Sequence, residues 1–324
     1  MASTLPTDVF HGVHYDVVIV GGGAAGLTAG LYAARRALKT LIITKDLGGQ
    51  AATTQRIENY PGVDVTSGLD LMVKFKEQAE THGAVLMTAE AKSIDELPDG
   101  TFTVRTPQET IKARAIILAF GLTPRDLGVA GEERLKGRGV SYCVTCDGPL
   151  FKGKRVMVVG GGAAALDAAN YLAKIAAAVH IVYEHNKFRG SEALAATVLA
   201  DSRIIKHLGT KILGIQGEQQ VTGVMLSGAD DSEVAIDGIF VELGYVAKTG
   251  WLKGVVELDS KGRVVVAKGC HTSRPGIFVA GDLADIDYKQ IVISAGEGAK
   301  AALEVHRYLQ QGETKSIVPD WTTG

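Results

Sequence analysis

The residues with the most evident chemistry stand together in Ser141-Tyr142-Cys143-Val144-Thr145-Cys146-Asp147-Gly148. Two cysteines at C-x-x-C spacing can close a small disulfide and trade it with another thiol pair through a mixed disulfide. The attacking species is a thiolate, so a neighbour that takes or gives a proton is useful, and Asp147 adjoins Cys146. Two plainer readings compete. A zinc site needs four ligands, and the chain has no second C-x-x-C; Cys270-His271 is the other candidate cluster. Inert buried cysteines are disfavoured by the adjoining aspartate and glycine, which suit an accessible turn. The eight histidines show no H-E-x-x-H or similar ligand spacing.

Two glycine loops flank this motif. Tyr15 to Val20 reads as a buried strand, runs directly into Gly21-Gly22-Gly23-Ala24-Ala25-Gly26, and continues into an Ala-rich helix to about Leu38. Leu41 to Thr44 supplies the returning strand of a βαβ unit. The plan recurs about 140 residues later: Arg155 to Val159, Gly160-Gly161-Gly162-Ala163-Ala164-Ala165, a helix to about Ala177, and a strand over Val179 to Tyr183. In G-x-G-x-x-G the first glycine makes the tight turn and the second lets a pyrophosphate touch the backbone. The third lets helix and strand pack closely, and the helix N-terminus faces the phosphates. A glycine turn without a ligand is the alternative in each case. It weighs more at the second loop, which ends in Ala165 and has no polar residue until Asp167. Since the cysteine pair lies between the two loops, it does not belong to a thioredoxin-type domain.

At 324 residues the chain has room for two domains, and its 40 glycines suit a turn-rich α/β protein whose backbone approaches ligands. A net charge of −2 with mixed signs gives no nucleic-acid surface or basic membrane patch. No apolar run is long enough to span a bilayer, and Met1 to His14 lacks the features of a secretory signal. Three cysteines are too few for a disulfide scaffold and fit a cytoplasmic protein with a working thiol pair. Ala115 to Pro124 is expected to be a buried strand ending in a turn where the chain crosses between domains, with a second crossing near Gly244 to Trp251. Gly276 to Asp282 is expected to be a strand ending at an acid that can bind a sugar or ribityl hydroxyl. A long helix from about Ile291 to Gln310 would turn its positive end toward an anionic ring. Ala229 to Glu233 reads as a solvated hairpin turn, and Cys270 as a buried or half-buried thiol without redox work.

With these residues in order, and with Gly48-Gly49-Gln50, Glu58-Asn59-Tyr60-Pro61-Gly62, Thr123-Pro124-Arg125, Leu127-Gly128-Val129 and Tyr288-Lys289-Gln290, the chain resembles the low-molecular-weight thioredoxin reductases over nearly its whole length. The resemblance implies two Rossmann-like domains in ββα layers, the second inserted into the first. The FAD domain would take residues 1–122 and 248–324, and the cysteine-bearing domain 123–247. It implies FAD contacts from Gly21, Gly23, Ala24, Ala25, Gly26, Gly49, Gln50, Asn59, Gly121, Asp282, Lys289, Gln290 and Ile291. It implies that Cys146 faces the flavin, Cys143 attacks a thioredoxin-like protein disulfide, and Asp147 handles the proton. A homodimer whose inserted domain rotates is part of the same expectation.

The second nucleotide site departs from the family. Where members using NADPH carry His-Arg-Arg, this chain has Tyr183-Glu184-His185, with Arg189 preserved. Glu184 repels a 2′-phosphate and suits a free ribose 2′-hydroxyl, as in NADH or the adenosine half of FAD, while His185, Lys187 and Arg189 leave a weak phosphate site. NADPH is thus disfavoured. Ala163, Ala164, Asp167 and Ala168 make the pocket beside Gly160 and Gly162 more apolar than is usual in the family. Relatives without pyridine-nucleotide use take electrons from ferredoxin, a deazaflavin or a second bound FAD, and a thiol-oxidising direction is open to them. A slow-turnover, redox-responsive flavin module is the remaining alternative, disfavoured by the aspartate beside the pair. Trp321 is either a ring stacking on the flavin or part of an unstructured end, the second reading being preferred.

Overall fold

The computed structural model describes residues 13–54, 56–189, 192–228 and 232–311. The N-terminal stretch up to residue 12, residues 229–231 of the segment expected as a hairpin turn (Ala229 to Glu233) and the tail bearing Trp321 lie outside the described residues. The helices are α1 (Ala24–Arg35), α2 (Gly68–Thr81), α3 (Glu132–Leu135), α4 (Val144–Asp147), α5 (Ala163–Leu172), α6 (Glu192–Ala200) and α7 (Ile291–Gln311). The chain divides into two compact units. One comprises Met1–Ala52, Tyr60–Thr123 and Ala247–Gly324; the other comprises Thr53–Asn59 and Pro124–Val246. At the crossings Thr123–Pro124 pairs with Tyr245–Val246 as a short ribbon.

In the first unit the strand His14–Val20 lies between Thr40–Thr44 and Thr110–Leu118, parallel to both. Val85–Thr88 extends one side, and Ile277–Val279 pairs in parallel with Thr110–Leu118. Phe102–Arg105 and Ser93–Glu96 add antiparallel strands beyond Thr110–Leu118. A central parallel strand is covered on both faces, which is why YDVVIV is apolar almost without interruption. Tyr15, Val18 and Val20 join a core with Leu252, Val256, Val264 and Leu283, while Val17 and Ile19 are equally inaccessible. Helices α1 and α7 meet closely: a Cβ built on Gly298 would lie 2.0 Å from the carbonyl oxygen of Ala25, so only glycine fits there.

The second unit repeats the logic in separate layers. Five parallel strands run in the order Ile204–Leu208, Ala178–Tyr183, Arg155–Val159, Gly238–Val241, Val140–Ser141. An antiparallel meander of Ile212–Gln216, Gly223–Leu226 and Ser232–Ala235 forms the second layer. Side chains alternate along Arg155–Val159: Val156 and Val158 pack in a core with Leu166 and Ala169 of α5, whereas Met157 and Val159 pack with Ile215 and Val224 of the meander. Each of the two units is thus Rossmann-like.

Two helices end earlier than their patterns indicate. Helix α1 stops at Arg35 instead of Leu38, because Ala37 adopts a left-handed backbone with φ 59°. Helix α5 stops at Leu172 instead of Ala177, because the chain turns there and the Ala177 amide donates to the Lys154 carbonyl to start the returning strand.

Phe240 is fully buried and meets Phe151 edge-on, with ring centroids 5.1 Å apart. Phe240→Ala should lower stability by about 3–5 kcal/mol, read from chemical unfolding, through lost transfer energy and the cavity left behind. On neighbouring strands His180 Nδ1 lies 3.0 Å from His207 Nε2 with the rings stacked. Burial, then the His207 charge and Arg155, lower the His180 pKa; burial lowers that of His207. The unfolded chain binds these protons more readily, so this contribution is fully present at neutral pH and declines as pH falls below about 6.5. His207→Gln should flatten the change in melting temperature between pH 7.5 and 5.5; an unchanged pH dependence would refute the assignment.

Candidate active site

Strand and loop set the first cradle. Gly21 has φ +119°, and a Cβ there would lie 2.4 Å from the Ala119 carbonyl oxygen; a Cβ on Gly26 would lie 1.8 Å from that of Gly21. The two glycines let the strand end, the turn and α1 share one small volume. Gly23 is the N-cap of α1 in extended conformation and contributes no side-chain cap, which leaves the first-turn amides of Ala24, Ala25 and Gly26 for an anion. The Gly48 amide donates to the Gly22 carbonyl at 2.8 Å and brings the Gly49–Thr53 turn, with Gln50, alongside. Gly49 and Gly121 are left-handed, with open space where a Cβ would stand.

The same unit brings Asp282 to this region. A Cβ on Gly281, the residue before it, would touch Ala25 of α1 at 2.8 Å. The Asp282 carboxyl accepts the Ser294 hydroxyl of α7 at 3.1 Å. Burial raises its pKa, partly offset by Lys289 and Ser294. Lys289 donates to the carbonyls of Asp282 (2.9 Å) and Ala284 (3.2 Å), which ties the turn to the segment leading through Gln290 into Ile291, the first residue of α7. An uncapped helix start, open left-handed glycines and a buried carboxyl fit a dinucleotide with hydroxyl groups. Asn59 falls in Thr53–Asn59, the segment grouped with the second unit.

In the second unit Gly160 (φ +139°) sits where a Cβ would be 2.6 Å from the Glu242 carbonyl oxygen, and Gly162 is the uncapped N-cap of α5 with open space around it. Ala163 and Ala164 are exposed in the first turn. The Tyr183 ring lies so close over Gly161 that a Cβ there would be 2.3 Å from it. Beyond the strand end, Glu184 lies 3.8 Å from Lys211 and 3.6 Å from His185, and an Arg189 guanidinium nitrogen is 3.0 Å from His185 Nε2. The Arg189 amide donates to the Gly161 carbonyl at 2.7 Å, so the loop and the acid–base cluster form one structure.

Cys143 and Cys146 are joined as a disulfide, their Cα atoms 5.3 Å apart. Cys143 is the N-cap of α4, and the Cys146 amide donates to its sulfur at 3.2 Å. Such a donor stabilises negative charge on that sulfur once the bond opens. Ser141 is buried and organises the turn: its hydroxyl donates to Asp147 Oδ2 at 2.6 Å and accepts the Cys143 amide at 3.1 Å. Asp147 Oδ1 is buried without a hydrogen-bond partner. Burial raises the Asp147 pKa, and the Ser141 hydroxyl partly offsets this. A carboxyl held this way can keep a proton at a pH where an exposed aspartate would not. Behind the turn, Tyr142 donates to Glu132 at 2.8 Å, and Glu132 accepts the Leu127 and Gly128 amides, each at 2.8 Å. Cys270 is buried in the first unit and its thiol is pushed up to about 12, mainly by burial, so it stays protonated.

Sequence reasoning missed Ser141. Its signal is a hydroxyl six residues before the aspartate, and the hydrogen bond between the two shows that it points back across the turn.

Residues 15–304 match the family model described as pyridine nucleotide-disulphide oxidoreductase. The chain is 39% identical to a thioredoxin reductase of Mycolicibacterium smegmatis, covering 92% of this chain and 97% of that protein. It is 39% identical to an NADPH-dependent thioredoxin reductase 3 of Arabidopsis thaliana, covering 91% of this chain and 58% of the longer relative. The crystal structure of a thioredoxin reductase from Streptococcus pyogenes superposes with a TM-score of 0.87 at 35% identity, over 92% of this chain and 99% of that one.

Gly26→Ala should strip most of the FAD from the purified protein, because the added methyl group meets the Gly21 carbonyl and pushes α1 away from the turn. The ratio of flavin to protein absorbance measures it, and full flavin content in a folded variant would contradict the first cradle.

Proposed function

Because the chain belongs to the low-molecular-weight thioredoxin reductases, FAD-dependent disulfide oxidoreductases of the pyridine nucleotide-disulphide oxidoreductase family, we propose that it moves two electrons between FAD and the Cys143–Cys146 disulfide and on to a thioredoxin-like protein. The single observation carrying this reading is the disulfide turn itself. A closed C-x-x-C pair stands beside a buried carboxyl with one unpartnered oxygen. FAD, when bound, stores and supplies the electron pair. The residues to hold it are Gly21, Gly23, Ala24, Ala25 and Gly26 at the pyrophosphate, Gly49, Gln50, Asn59 and Gly121 along the cofactor, and Asp282, Lys289, Gln290 and Ile291 at its hydroxyls and ring. Cys146 is then the sulfur that receives electrons and Cys143 the one that attacks the partner. The amide donated to Cys143 supports that division, since it favours the thiolate at that sulfur. Asp147 gives a proton to the leaving sulfur and takes it back, with Ser141 fixing its orientation.

The second cradle takes the electron donor, with Gly160, Gly162, Ala163 and Ala164 at the phosphates and Glu184 with Arg189 at the ribose. Glu184 beside Lys211 and His185 supports NADH over NADPH, since a carboxylate accepts from a free 2′-hydroxyl and repels a phosphate. The same feature supports a second reading, in which a second FAD occupies this cradle and the donor is not a pyridine nucleotide. We place the enzyme in the cytoplasm, as a homodimer, on the resemblance described above.

Counting flavins per purified chain and adding NADH and NADPH anaerobically separates the readings. One flavin bleached faster by NADH is the expected outcome; two flavins, or one that neither nucleotide reduces, would favour the second reading. Asp147→Asn should leave flavin reduction by the donor intact and slow reduction of the protein disulfide by about 10²–10⁴-fold, as expected for loss of a general acid–base group. An unchanged turnover would remove Asp147 from the proton step.

A further inference from the structure

One peptide group in the disulfide turn, the one joining Tyr142 to Cys143, has both of its polar atoms held by side chains. Its amide donates to the Ser141 hydroxyl at 3.1 Å, and its carbonyl accepts the Tyr245 hydroxyl at 2.7 Å. Tyr245 comes from 103 residues further along the chain, in the short strand Tyr245–Val246. We propose that Tyr245 is a positioning residue for Cys143, its hydroxyl fixing the peptide plane from which the attacking sulfur meets the partner. The proposal rests on the reading of Cys143–Cys146 as the working disulfide.

The local structure shows why such a clamp is needed. Cys143 has extended backbone angles, φ −143° and ψ 97°, and only starts α4, a single turn with little rigidity of its own. Upstream, Val140–Ser141 is a two-residue strand paired with Gly238–Val241. The Tyr142 side chain is anchored separately. Its phenol donates to Glu132 at 2.8 Å, and burial, then Glu132 and Asp126, raise its pKa, so it keeps that proton. Glu132 is itself buried and held by the Leu127 and Gly128 amides. With the phenol fixed, the peptide beyond it can still rotate unless its carbonyl is also tied, and Tyr245 supplies that tie. Rotation would carry the Cys143 amide off Ser141 and tilt the bond to the sulfur. A thiolate attacks a disulfide in line with the bond that breaks, forming a mixed disulfide and expelling the far sulfur as a thiolate. A tilted attacking sulfur therefore lowers the rate directly. Tyr245 is 44% exposed, so removing its oxygen opens no cavity in a core.

The test uses the flavin-bound full chain, reduced anaerobically with stoichiometric dithionite, and a purified oxidised thioredoxin as the probe. Rapid mixing over a range of thioredoxin concentrations gives the limiting rate of disulfide transfer and the half-saturating concentration separately. Tyr245→Phe should lower the limiting rate about tenfold and leave half-saturation within about twofold of the wild type. Tyr142→Phe should lower the same rate, and serves alone if the first variant does not fold, with melting temperature and flavin content reporting folding. The double variant should lose little more than the worse single one, because both act through one peptide group. A limiting rate unchanged in either folded variant would overturn the positioning role while leaving the pair in place. A loss confined to half-saturation would overturn it too, and make Tyr245 a docking contact. No transfer from the wild type would instead defeat the pair and this inference together.

Discussion

Everything in this molecule depends on two places where the backbone comes closer to itself than any side chain allows. At Gly21 and Gly160 the strand end passes a neighbouring carbonyl with no room for a methyl group, and the turn that results sends the start of a helix, uncapped, toward open space. A helix start left without a capping side chain costs stability unless water or an anion satisfies its amides. The fold accepts that cost twice, and in each instance the free first-turn amides are suited to an anion. At the third position the copies differ. Gly26 is required by the Gly21 carbonyl, whereas Ala165 fits in the second turn as a fully buried methyl group.

The second unit combines that cradle with the disulfide, and the two are neighbours through the strand Gly238–Val241. That strand pairs with Val140–Ser141, which leads into the cysteines, and with Arg155–Val159, which leads into the glycine loop. Just past its end, the Glu242 carbonyl lies under Gly160. The polar groups of the disulfide turn are unevenly satisfied: Ser141 and the Cys143 amide are paired, while one Asp147 oxygen is not. A buried acceptor left without a donor is disfavoured in a structural role and is expected where a proton must be exchanged.

Much of this was legible in the chain. The βαβ units, the glycine loops and the cysteine pair are local patterns, set by strand periodicity, by backbone close approach and by thiol spacing. What escaped depends on contacts distant in sequence. Ser141 looks like an ordinary polar residue, and its strand is held by Gly238–Val241, approximately 100 residues further along the chain. The ends of α1 and α5 escaped because alanine-rich sequence carries no stop signal. Termination there comes from Ala37 turning left-handed and from a strand partner, Lys154, drawing the chain away. The grouping of Asn59 with the second unit is likewise a tertiary fact that no local motif announces.

The close seat of Gly298 on Ala25 carries a consequence for synthesis. Helix α7 completes a unit begun by α1, yet it is made after the whole of Pro124–Val246. Domains generally form as their residues leave the ribosome. The disulfide-bearing unit thus has its sheet strands available while the earlier nucleotide fold still lacks the helix that packs on its cradle. A polypeptide released early would accordingly carry the cysteine pair without the helix that seats on Ala25.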